Sequence, residues 1–281
     1  MKSLNHSILL LFLMVTTPVT VQAQNYNFKI LTDINQIWRN ELPSAERIKS
    51  DGVWSLPGNS GAIPLTEWKA GFNKMGPGVV FTEEYFERFP KKAFTPTKEI
   101  IGQDNIEMVC IYAEPKVVAN DPHPTTIVFD EIIDSVAHAS GKKVIVLSRS
   151  YSIPNWKNEL LRALNNENVG GVCFEAHVTH TKEIVDFKII VGLQLALDRN
   201  KLAFLLLPPD GGADNNYRYE DHMETTFKYL DKESNLLRHS DFHIVVAAYN
   251  RLREDKNTTM LGERNSVEAS VKRLIYLRDN Q

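Results

Sequence analysis

The sequence alternates between short apolar runs rich in β-branched residues and longer segments with the amphipathic spacing of helices. The apolar runs recur at intervals of roughly 25 to 40 residues, which suits strand–helix units that repeat along a chain. Several runs, such as Leu202–Leu207, are apolar at every position. Strands of a parallel sheet that are buried on both faces have this composition. The alternation therefore predicts a parallel sheet covered by helices.

Eight strands can be assigned from the apolar runs. They are Asn27–Leu31, Gly52–Leu56, Gly78–Thr82, Glu107–Ala113, Lys143–Ser148, Gly170–Glu175, Leu202–Leu207 and Phe242–Ala248. The helix candidates between them are Ile34–Ser50, Leu65–Asn73, Thr125–Ser140, Asn155–Asn165, Lys182–Arg199, Tyr217–Leu237 and Ser266–Arg278, with the weakest signal near Pro96–Gln103. Helix stop signals stand at Ser140-Gly141 and Arg199-Asn200. Eight such units predict an α/β fold of the (β/α)8 TIM-barrel class. An open doubly wound α/β sheet is the alternative, although no Gly-x-Gly-x-x-Gly dinucleotide motif follows the first strand.

Residues 1–23 do not follow this pattern. They contain an early basic residue, Lys2, an apolar run over Ile8–Val15 and small residues up to Ala23. This arrangement predicts a secretory signal peptide cleaved after Ala23, and hence a secreted or periplasmic protein. The apolar run is too short to cross a bilayer. No linker or repeat divides the remainder, so we expect residues 24–281 to form one barrel domain.

Charge and cysteine content exclude some partners and frameworks. The formal net charge of -3 gives no electrostatic basis for binding nucleic acid, and we expect no stable membrane insertion. Two cysteines, Cys110 and Cys173, cannot form a disulfide framework. They are expected on alternate strands of the barrel, too far apart for a disulfide bond, so we predict free, buried thiols.

The period-2 alternation of strands indicates which polar residues face the barrel interior. In the sixth strand Cys173 and Glu175 share one face, whereas bulky Phe174 lies on the other. In the fourth strand Cys110 and Glu114 share a face in the same way. Since active sites of this fold lie at the carboxyl ends of the strands, Glu114 and Glu175 are the foremost candidates for chemistry.

Two carboxyl groups at a barrel mouth suit the cleavage of a glycosidic bond, which needs a general acid and a second carboxylate. We therefore predict a secreted glycoside hydrolase in which Glu114 is the acid, with Glu175 or Asp210 as nucleophile or base. Asp210 precedes two glycines, so shaping a turn is its alternative role. The predicted substrate is an oligo- or polysaccharide, without cofactor or metal. The candidates for substrate binding are Trp54, Glu84, Tyr112, Arg149, Tyr151, His177, Tyr249, Asn250 and Arg251.

Two other classes of function stay open at this point. A metal-dependent phosphodiesterase or isomerase would use Glu114, Glu175, His177 and Asp210 as ligands, although their spacing is not a recognised metal signature. A non-catalytic carbohydrate-binding barrel would use the aromatic residues near the mouth without cleaving a bond. Arg149 and Arg251 could clamp an acidic sugar, or they could form ion pairs with acidic residues on the rim of the barrel.

Overall fold

The computed structural model describes residues 25–33, 49–55, 78–82, 106–113, 126–148, 156–176, 188–207, 219–246 and 267–280. Eight parallel strands close into a barrel in the order of the chain, and β8 pairs with β1. The strands are β1 Lys29–Asp33, β2 Gly52–Ser55, β3 Gly78–Thr82, β4 Ile106–Ala113, β5 Lys143–Ser148, β6 Val169–Glu175, β7 Leu202–Leu207 and β8 Phe242–Val246. This closure confirms the predicted α/β TIM barrel and excludes the open sheet.

Helices of the described ranges follow the strands as the spacing predicts. They are α1 Thr126–Ser140, α2 Trp156–Asn165, α3 Ile189–Leu197, α4 Tyr219–Glu233 and α5 Val267–Asp279, with a 3-10 helix at Leu236–Arg238. The helix predicted over Tyr217–Leu237 ends earlier than predicted, because α4 stops at Glu233 and the 3-10 helix follows. The candidates Leu65–Asn73 and Pro96–Gln103, and most of Ile34–Ser50, lie outside the described residues.

Two helix ends match the stop signals in the sequence. Gly141 has a positive φ of 66° and donates its amide to Ala137 O at 2.8 Å, which ends α1 in a left-handed residue. Asn200 has φ 55° after α3, and the next residue, Lys201, donates its amide to Ala196 O at 3.0 Å. Both positions satisfy helix carbonyl groups that would otherwise have no partner.

Strand β1 begins two residues later than the apolar run predicts. The amides of Asn27 and Phe28 both donate to Leu237 O, at 2.9 and 3.2 Å, and so bond to the 3-10 helix instead of a neighbouring strand. The apolar character of Tyr26 and Phe28 comes from packing on Phe227 of α4. An apolar run therefore extended the predicted strand into a segment that packs against α4.

The outer face of the barrel packs against the helices. Phe174 of β6 is fully buried and contacts the helix layer at Gly192 of α3, where an added Cβ would come within 2.5 Å of the Phe174 ring. Leu205 and Leu207 of β7 belong to the same outer core. Burial of one such side chain contributes about 2 kcal/mol, so this layer fixes the orientation of the strands and their inward faces. In the described part of the chain no helix has the length and apolar character needed to cross a membrane.

Candidate active site

The strand register divides each strand into an inward and an outward face. Leu147 of β5 is opposite Cys173 of β6, and Cys173 is opposite Phe204 of β7. These three side chains belong to one buried cluster inside the barrel. Two residues further along β6, Glu175 is opposite Leu206, which is a member of the same cluster. Glu175 therefore stands on the inward face, at the carboxyl end of β6, as the alternation predicts.

Glu175 is a buried carboxyl group, with only 2% of its surface exposed. Among the described residues, the other buried acidic side chain is Glu268, which lies on α5 and forms an ion pair with Lys272. Burying a carboxylate costs free energy unless other groups compensate it. A protein retains such a group where it stabilises the structure or where it carries function, and its place at the end of a barrel strand favours function.

A floor of apolar and thiol side chains lies beneath Glu175 inside the barrel. Trp54 of β2 is buried and packs on Phe204, with the ring centroids 5.7 Å apart. Cys110 and Cys173 are fully buried and free, as predicted. Burial raises the pKa of both thiols, and the charge of Glu175 raises both further, so they are protonated thiols close to the carboxyl group.

The amino-terminal end of the barrel interior is also filled. The His243 ring of β8 stacks on Phe204 with 4.6 Å between centroids, and its Nδ1 lies 3.2 Å from Asp241 O. Burial lowers the pKa of His243 to about 4, so the ring is neutral at physiological pH. The interior below Glu175 is therefore a packed core, as in other barrels of this class.

The structure describes three of the candidate site residues at least in part. Glu175 lies at the mouth, and Trp54 lies deeper, with its ring in the floor. Tyr112 of β4 takes the register position opposite Leu147 of β5. The remaining candidates lie outside the described residues, and their roles stay predictions. These are Glu114, Asp210, Glu84, Arg149, Tyr151, His177, Tyr249, Asn250 and Arg251.

Leu147 and Leu206 are neighbours of Glu175 and Cys173 that the sequence analysis did not select. Both are buried inward-facing residues, and Leu206 is the register partner of Glu175 on β7. Leu147 and Leu206 can be identified as neighbours of the site only when the pairing register of the adjacent strands is known. An all-apolar strand such as Leu202–Leu207 carries no alternation from which its inward face could be read.

The described residues do not by themselves make a metal site. Within them, no group of three or more His, Cys, Asp or Glu side chains is arranged to hold a metal ion. Glu175 could supply one oxygen ligand, whereas the thiols of Cys110 and Cys173 are held protonated and a metal needs thiolates.

The closed barrel and the inward carboxyl group define an α/β TIM barrel with a candidate site at the carboxyl ends of its strands. Solved structures with this fold include D-allulose 3-epimerase from Methylomonas sp., at 11% identity and TM-score 0.53, with 90% of this chain and 98% of that chain covered. The 3-keto-D-glucoside 4-epimerase YcjR from E. coli is similar at 12% identity and TM-score 0.52, covering 89% and 99%. The endo-1,4-beta-mannanase from Rhizomucor miehei is similar at 8% identity and TM-score 0.53, covering 91% and 97%. No protein-family model and no curated protein matches the sequence.

Proposed function

We propose that this protein is an enzyme that acts on a carbohydrate, with Glu175 as the carboxyl group that contacts the substrate. The observation that carries the proposal is the buried carboxyl group of Glu175 on the inward face of β6, where the strand ends. The packed floor beneath it leaves the mouth as the side from which a ligand can approach. The similar barrels described above act on sugars according to their names, which supports the same substrate class here.

The reaction we favour is hydrolysis of a glycosidic bond. Glu175 would act as nucleophile or base, and Glu114, which the sequence alternation predicts on the inward face of the fourth strand, would protonate the leaving oxygen. Asp210 is the other candidate for the partner carboxylate. The predicted export signal supports this reaction, because glycans are common substrates outside the cell. Secretion itself is part of the proposal.

Isomerisation or epimerisation of a sugar is the second candidate. Two of the similar barrels described above are epimerases by their names. In this reaction Glu175 would take a proton from a carbon next to a carbonyl group and return it. The described residues do not form a metal site.

Isotope incorporation separates the two reactions. Purified protein is incubated with a panel of free sugars, nitrophenyl glycosides and soluble polysaccharides, in deuterium oxide and separately in water enriched in oxygen-18. Hydrolysis introduces oxygen-18 at the released anomeric carbon, whereas isomerisation introduces carbon-bound deuterium next to the carbonyl group. Binding without any turnover would instead support the non-catalytic carbohydrate-binding barrel, and the absence of both would reject a carbohydrate function.

A further inference from the structure

We infer that the substrate reaches Glu175 by end-on entry of a single sugar unit, so that the protein acts on a monosaccharide or on the end of a chain and not within a chain. The inference rests on the proposed function and specifies the substrate of that same site. Two observations support it: the depth of Glu175 in the barrel and the packed side chains beneath this residue.

Glu175 lies within the sheet and not on a loop above it. The next residue, Ala176, still donates its amide to Leu206 O of β7 at 2.9 Å, so strand pairing continues beyond Glu175. Ala176 is itself buried. Glu175 is 2% exposed, and its register partner Leu206 is 4% exposed. A substrate atom must therefore come down to the level of the strands to meet this carboxyl group.

Packed side chains occupy the space below the carboxyl group in the described part of the barrel. Cys173, Phe204 and Trp54 fill the next layer, and each is buried. His243 stacks beneath Phe204 and fills the layer after that. A ligand that enters at the mouth meets a closed floor, so a chain cannot thread past Glu175.

The geometry distinguishes a chain end from a chain interior. A carboxyl group acts as acid, base or nucleophile only within about 3 Å of the reacting atom. A sugar unit in the middle of a polysaccharide has chain on both sides, so it must lie across an open cleft whose carboxyl groups are accessible from above. A terminal unit has chain on one side and can descend to a recessed group such as Glu175.

Product analysis tests this inference. Wild-type protein is incubated with free monosaccharides, nitrophenyl monosaccharide glycosides and soluble mannan, xylan and β-glucan, with Glu175→Gln as the control for Glu175-dependent turnover. We expect turnover of single units, and from any polymer that is cleaved only the single-unit product, with little fall in viscosity per bond broken. A rapid fall in viscosity, with mixed oligosaccharide products that Glu175→Gln does not form, would overturn end-on entry and leave the proposed function intact. Absence of turnover and binding across the panel would reject both.

A matched pair of leucines gives a second test. Leu206 flanks Glu175 inside the barrel, whereas Leu207 is the next residue of the same strand and packs outward in the helix-facing core. Leu206→Ala should change the KM ratio between a small and a bulkier single-unit substrate by at least about tenfold. Leu207→Ala loses the same volume and should leave the ratio unchanged. If Leu206→Ala does not fold, Leu206→Val, which removes less volume, is compared with Leu207→Val. Equal ratios in the two variants would overturn the inference.

Discussion

Arg278, in the last turn of α5, donates a hydrogen bond at 2.5 Å to the carboxylate of Asp51, which directly precedes β2 and lies 227 positions earlier in the chain. The same carboxylate oxygen accepts the amide of Ile30 of β1 at 2.8 Å. Arg278 also donates to Phe28 O at 3.2 Å. These contacts join the last helix to the first two strands, where the barrel closes on itself.

Loss of the guanidinium group should therefore weaken the closure. Arg278→Met removes a partly buried ion pair and leaves the Asp51 carboxylate without this donor, so the free energy of unfolding should fall by about 1–3 kcal/mol. Arg273 lies on the same helix and is exposed, where it contacts the Tyr276 ring. Arg273→Met should change stability by less than about 0.5 kcal/mol. Urea unfolding measures both, and equal losses would show that Arg278 acts through helix propensity alone.

His243 should make the fold sensitive to acid. Burial lowers the pKa of His243 to about 4, and the charge of Lys29 adds to this, whereas Asp241 and Asp51 oppose it. The ring is neutral in the folded barrel, but in the unfolded chain it takes up a proton below about pH 6.5. The contribution of the neutral His243 ring to the free energy of unfolding is thus complete above about pH 6.5. It is lost as the pH falls towards 4, and the total loss is about 3 kcal/mol.

The pH dependence of stability checks this assignment. His243→Gln should reduce the loss of unfolding free energy between pH 7 and pH 4.5 by about 2 kcal/mol compared with the wild type. His138, which is exposed on α1, provides the matched control, and His138→Gln should leave the slope unchanged. If both variants retain the wild-type slope, other groups cause the acid sensitivity.

The inward and outward faces of β6 could be predicted because its residues differ between the two faces. Cys173 and Glu175 alternate with the bulky Phe174, and the outward face was assigned to the bulky residues, which pack on helices. The same reasoning failed to select Leu206, since β7 is apolar throughout. Whether Leu206 lies beside Glu175 depends on the register with which β7 pairs with β6, and that register is set by packing of the whole barrel.

The ends of elements were harder to predict than their existence. The left-handed residues Gly141 and Asn200 mark helix ends in the sequence, and the structure confirms both. The start of β1 was misplaced because Phe28 is apolar for a tertiary reason, namely its packing on Phe227. Local composition reports that a residue is buried, but it does not report which element buries it.

The two thiols should be inert in the native protein. Burial raises the pKa of Cys110 and Cys173 well above the ordinary value, and the Glu175 charge raises both further, so little reactive thiolate is present. Iodoacetamide at about pH 8 should leave the folded protein unmodified for hours and should add two labels after unfolding. Rapid labelling of the native protein, detected by intact mass, would show that the floor of the site opens to solvent.

Gly192 should be intolerant of a side chain. A Cβ at this position would lie 2.5 Å from Phe174 Cζ, so Gly192→Ala must push α3 away from β6. Although alanine favours helix, we expect a net loss of about 1–3 kcal/mol from overpacking. Gln194→Ala on the same helix is the control, because Gln194 makes an exposed contact with Asp198, and it should change stability by less than about 0.5 kcal/mol. A more stable Gly192→Ala protein would mean that the two layers separate easily.

Glu175→Gln should separate a functional from a structural role for the buried carboxyl group. Glutamine has nearly the same shape but cannot act as base or nucleophile, so activity on whichever carbohydrate the wild type converts should fall by about a thousandfold or more. Glutamine also conserves the volume of the side chain, so the packing around position 175 should be retained. The melting temperature of Glu175→Gln should therefore stay close to that of the wild type.

Activity and thermal unfolding must be measured together on the same preparations of the Glu175 variant. Leu205→Ala, on the outward face of β7, is the control with the opposite signature, since loss of core volume should lower the melting temperature while the remaining folded protein keeps its turnover. A Glu175→Gln protein with wild-type turnover and a lower melting temperature would make Glu175 a structural residue. The catalytic carboxylates would then be sought among Glu114 and Asp210.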